Sequence, residues 1–77
     1  MSLDEAARQL KMAAHDAQVS FDCVGLGDLA RAQEHAVTLR ASADAALTAL
    51  ARALEDLSPQ QARSAGEDAV TALAEDA

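Results

Sequence analysis

The chain has 77 residues, enough for one small domain, with 13 acidic against 6 basic side chains and a formal net charge of −7. Apolar types make up 51% of it, but Ala is the largest part of that share and Phe21 is the sole aromatic. The balance excludes direct nucleic-acid binding, which rests on Lys and Arg; a membrane span, which needs ~18–20 consecutive apolar residues; and simple disorder, since half the chain is apolar.

The first segment places Leu3, Ala7, Leu10, Ala14, Ala17, Phe21 and Val24 at alternating steps of four and three. Such spacing is a heptad stripe on one helix face. Ser2 and Glu5 have the S-x-x-E spacing of a capping box, which predicts a start near Leu3. The run Val19–Val24 is poor in helix formers, and Gly25 and Gly27 follow. A helix over about 3–22 is expected, with its end fraying between Gln18 and Val24.

The second segment has the longest pattern. Leu29, Ala32, Ala36, Leu39, Ala43, Ala46, Leu50, Ala53 and Leu57 alternate three and four without a miss. Asp28 stands where an N-cap belongs. No Gly or Pro interrupts residues 28–57, so one continuous helix is predicted there. Ser42 or Asp44 capping a restart near 41–43 is the alternative. Leu47 and Leu54 widen the stripe on one flank, and a widened stripe implies two neighbours.

Ser58-Pro59-Gln60-Gln61 opens the third segment. Ser58 suits an N-cap, Pro59 the first helical position, and Gln61 the return arm of a capping box. A helix over 59–75 is expected, with Gly66 a weak point and Ala65 a possible restart. Its large apolar residues are Val70 and Leu73.

The predicted architecture is therefore all-α: a single domain over 1–77, a three-helix up-down-up bundle with a long central helix, since short connections make sequential helices antiparallel. The seams are rich in Ala where a coiled coil would place Leu, Ile or Val. Small seam residues allow close helix approach but bury little. Cys23 is the lone cysteine, so an internal disulfide is excluded and a reducing, cytoplasmic setting is expected. The acidic opening residues do not read as a secretory leader.

Five of the six basic residues have an acid at helical spacing: Asp4–Arg8, Asp28–Arg31, Arg40–Asp44, Arg52–Asp56 and Arg63–Glu67. Such pairs suit solvated helix faces. Residues 1–54 hold seven acids and five bases, a net of −2, whereas residues 55–77 hold six acids and Arg63, a net of −5. Glu55, Asp56, Glu67 and Asp68 thus form a candidate acidic surface able to steer a basic partner.

His15 and His35 fall off both stripes and read as surface residues. They lack the Glu-x-x-His spacing of a dinuclear bundle site: position 12 is Met and position 32 is Ala. A zinc site from His15, Cys23 and His35 would have atypical spacing and want a fourth ligand. Gly25-Leu26-Gly27-Asp28 is not a phosphate loop, and no G-x-S-x-G occurs. No catalytic, metal or cofactor residue is assigned.

The resulting expectation is a non-catalytic helical interaction or oligomerisation module. Its partner would be a second copy in a homodimer, or a helix of another protein. Leu39, Leu47, Leu50, Leu54, Leu57, Val70 and Leu73 are the expected contact residues. The alternative is a small acidic inhibitor or adaptor that occupies a basic, possibly nucleic-acid-binding, site on a partner protein. No direct contact with nucleic acid or membrane is expected.

Overall fold

Capping chemistry places the helix ends. In the computed structural model, which describes residues 2–76, α1 spans Asp4–Gly25, α2 Leu29–Asp56 and α3 Pro59–Asp76. The chain is all-α, and the helices form a three-helix bundle.

The Ser2 hydroxyl accepts from the Asp4 N–H at 2.9 Å, but Glu5 does not return the bond. Glu5 instead accepts from Arg8 and from Gln9, the latter at 2.8 Å. The Gln9 hydrogen bond and then that from Arg8 hold the Glu5 carboxyl below its ordinary pKa. Arg8 thus pairs with Glu5 at i,i+3 in place of the expected Asp4 at i,i+4. Among the described residues Glu5–Arg8 is an ion pair, and Asp16 and His35 are joined by a hydrogen bond.

α1 continues through Val19–Val24 to Gly25, beyond the expected end. Val19, Ser20 and Cys23 are buried or half-buried. Tertiary packing there outweighs weak propensity. The helix closes on a Schellman turn: Asp28 N–H donates to the Cys23 carbonyl at 2.9 Å and Gly27 N–H to the Val24 carbonyl at 3.0 Å. Gly27 stands at φ 74°, where a Cβ would be strained.

The Asp28 carboxylate accepts from the Arg31 N–H at 3.1 Å and caps α2, which runs to Asp56 without a break near 41–43. Ser58 and Gln61 complete their box reciprocally, at 3.1 and 2.9 Å, and α3 continues straight through Gly66.

α1 is the spatial centre, with α2 and α3 both packed on it and little contact between those two. The helix that is central in sequence is therefore an outer one in space. α2 is antiparallel to α1: Ser20 donates to the Ala32 carbonyl at 2.8 Å, and Asp16 meets His35 at 2.9 Å. α3 runs parallel to α1, with Gly66 against Leu3 and Leu73 in the groove beside Asp4 and Arg8. The order is up-down-up.

The arrangement is open. Its extents are 45 × 25 × 14 Å, about two helix diameters wide and little more than one deep at ~10–12 Å per helix. The radius of gyration is 14.7 Å, against about 11.5 Å for a compact domain of this length.

The buried seam is not the expected one on α1. Ala6, Ala13, Asp16 and Cys23 are buried, with Gln9 and Ser20 half-buried between them. This is a heptad stripe one residue round from Leu3-Ala7-Leu10-Ala14-Ala17-Phe21-Val24. On α2 the inner stripe is Ala32, His35, Leu39, Ser42, Ala46, Ala49 and Ala53. It shares Ala32, Leu39, Ala46 and Ala53 with expectation but takes His35, Ser42 and Ala49 in place of Ala36, Ala43 and Leu50. Small side chains let the backbones approach, and Asp16, Ser20 and His35 are hydrogen-bonded within the seam. His35 is accordingly half-buried and hydrogen-bonded in the seam, which corrects its expected placement as a free surface residue. No large side chain is fully buried.

Candidate interaction surface

Most of the large apolar residues left outside fall on two stripes, although Met12, Leu26 and Val37 stand apart from them. On α1, Leu10, Phe21 and Val24 are exposed, with Ala14 and Ala17 between them. On α2, Leu29, Leu47, Leu50 and Leu54 are exposed, with Ala36 and Ala43 between them. Each stripe lies roughly 100° round from its buried seam, the rotation of a single residue. Because α1 and α2 are antiparallel, the same sense of rotation carries both stripes to one side of the pair. They form one face, interrupted on α2 by Gln33 and Arg40, which stand at the same spacing and are exposed.

Two grooves cross this face. One, of about 370 Å³, lies where α2 ends and α3 begins, lined by Leu3, Leu50, Ala53, Leu54, Leu57, Pro59 and Ala62. The other, of about 450 Å³, lies between α1 and α3 and includes Ala7, Leu10, Val70 and Leu73. Lys11 at its edge is its single charged member.

The expected contact residues distribute as follows. Leu50, Leu54 and Leu57 come together in the first groove, and Val70 with Leu73 in the second. Leu47 is exposed on the same face. Leu39 is not with them: it is half-buried in the α1–α2 seam. Glu55, Asp56, Glu67 and Asp68 are all exposed, and no described ion pair involves them.

The α1 contribution, above all Phe21 at 74% exposure, was not among the expected contacts. Its heptad spacing equals that of a core stripe, so spacing alone does not mark it as a contact. The Asp16–His35 pair was also missed. The signal was present in the turn: with the chain reversing near Leu26, residues about equally far before and after it face each other across the hairpin.

His15 is exposed. Among the described residues no group of three or more His, Cys, Asp or Glu is placed to hold a metal ion. The Ser20 hydroxyl is committed to the Ala32 carbonyl, so Asp16, His35 and Ser20 do not line up as a nucleophile with its base. Among the described residues no helix is long and apolar enough to cross a membrane. Comparison with protein-family models, with curated proteins and with solved structures finds no match.

Proposed function

We propose that this chain is a non-catalytic helical protein–protein interaction module whose working surface is the apolar face of α1 and α2. One observation carries the reading. The accessible surface is 5619 Å², while a folded monomer of 7.9 kDa exposes about 4,400 Å². The surplus of roughly 1,200 Å² accompanies a core of Ala, Cys, Ser and Asp and a rim of exposed Leu, Val and Phe. Exposed large apolar side chains gathered on one side of a helix pair mark partner sites.

The unpaired acids Glu55, Asp56, Glu67 and Asp68 favour a second reading, an acidic adaptor seated on a basic protein. Salt separates the two. Burial of an apolar face is insensitive to salt between 50 and 500 mM, whereas an acidic docking site weakens steeply. The test is association measured by light scattering across that salt range, alone and with a basic probe such as polylysine. Leu47→Glu with Leu54→Glu abolishes association under the first reading. Association that survives this double substitution, or that appears only with polylysine at low salt, rejects it.

A further inference from the structure

The three helices are not held equally. Independently of what meets the outer face, we propose that α3 is a strap. It undocks from α1 as one unit while the α1–α2 hairpin stays folded. Its release bares Leu3, Ala7 and Leu10, so that the apolar stripe of α1 runs uncovered from Leu3 to Val24.

The first support is where α3 touches. Gly66 lies against Leu3, and α3 runs parallel to α1, so residues 59–65 project beyond the start of α1 at Asp4. Only the residues from Gly66 onward lie alongside α1, about three turns at ~3.6 residues per turn. α2 adds little, having few contacts with α3. By contrast, the buried positions of the hairpin extend from Ala6 to Cys23 on α1 and from Ala32 to Ala53 on α2.

The second is what α3 buries. Among the described residues Ala69 alone is buried on α3, whereas α1 and α2 bury four each. Its other inward positions, Ala62, Ala65, Gly66 and Leu73, are half-buried, and all but Leu73 are small. Stabilisation follows the apolar area removed from water, so this contact contributes less than the α1–α2 seam. Leu3 and Ala7 are only half-buried beneath it, and Leu10 is exposed.

The third is polar ties. Ser20 to Ala32 and Asp16 to His35 join α1 to α2. Among the described residues no side-chain hydrogen bond or ion pair joins α3 to either helix, and the bonds of Ser58 and Gln61 are local to its own start. In this register Glu67 and Asp68 stand at the level of Asp4 and Glu5, which adds like charge. Undocking therefore breaks no directed bond. Leu57 is already extended, and a rotation there or at Ser58 swings α3 clear. Gly66 weakens the released helix, which then frays in water. Cooperative units of this kind open below the global free energy.

Native-state hydrogen exchange, followed by NMR on the full chain, tests the strap. In the unaltered protein the amides of residues 63–74 should share one opening constant. It should be at least about tenfold larger than those of Ala13, Asp16 and Ala46, with a weaker urea dependence. Ala69→Glu places a charge at the buried contact. It should leave the α3 amides unprotected while Ala13, Asp16 and Ala46 stay protected. Thr71→Glu, at an exposed position of the same helix, should change neither set. One opening constant shared by all three helices, or loss of protection throughout the chain in Ala69→Glu, overturns the strap and shows a bundle that opens as a whole. Protection that declines smoothly from Gly66 to Ala74 overturns it as well, because that is a fraying end and not a unit.

Discussion

Asp16 and His35 meet across the α1–α2 seam with Oδ1 and Nδ1 2.9 Å apart, and Asp16 is only 8% exposed. A carboxylate in that position depends on its partner, because water does not reach it freely. The pair therefore ties α1 to α2 at one level of the hairpin, next to the Ser20–Ala32 bond.

His35→Ala leaves the Asp16 carboxyl without that partner and should cost about 1–3 kcal/mol. His15→Gln, at an exposed position, should stay within about 0.5 kcal/mol. Urea unfolding at one fixed protein concentration measures both. Replacing Asp16 and His35 together by Leu should recover much of the loss, as swaps of whole buried pairs do. Equal stabilities for the two single histidine variants would show that the bond contributes nothing.

Ala46 is 1% exposed in the α1–α2 seam. A Leu there must push the helices apart or adopt a strained rotamer, so Ala46→Leu should destabilise by about 1–3 kcal/mol. Ala51→Leu, on the exposed side of the same helix, is the control and should be near neutral. Thermal melts followed by circular dichroism decide the matter. A tolerated Ala46→Leu would mean that the seam is loose and its alanines reflect helix propensity alone.

Gly66 interrupts α3 at a point where an added Cβ would meet only Leu3 Cδ1, at an ordinary 3.8 Å. Ala is favoured over Gly inside a helix by about 1 kcal/mol. Gly66→Ala should therefore raise stability by roughly 0.5–1 kcal/mol and tighten α3 on α1. A lowered urea midpoint would contradict the fit between Leu3 and Gly66.

α2 is unbroken from Leu29 to Asp56, and Ala45 lies in its interior. Pro at that position removes a backbone donor and clashes with the preceding turn, a cost of about 3 kcal/mol or more. Total stabilities run to only ~5–15 kcal/mol, so Ala45→Pro should abolish most helical circular dichroism. Retained helicity would place a hinge near residue 43.

Local chemistry was readable in the chain itself. Ser58, Pro59 and Gln61 announce the start of α3, Asp28 that of α2, and Gly27 the reversal between α1 and α2, because a cap or a left-handed turn involves atoms only a few residues apart. The unbroken run from Leu29 to Asp56 follows in the same way from the lack of Gly and Pro. What the chain alone left open was which of two equally spaced stripes on α1 faces inward. Leu10, Phe21 and Val24 have the spacing of a core as much as Ala6, Ala13, Ser20 and Cys23 do. Tertiary structure decides between them. The backbones of α1 and α2 approach closely only over small side chains, and Asp16, Ser20 and His35 find partners only on the opposite helix. Those terms are absent from any single helix, so the larger apolar residues were turned outward by contacts that the local pattern does not contain.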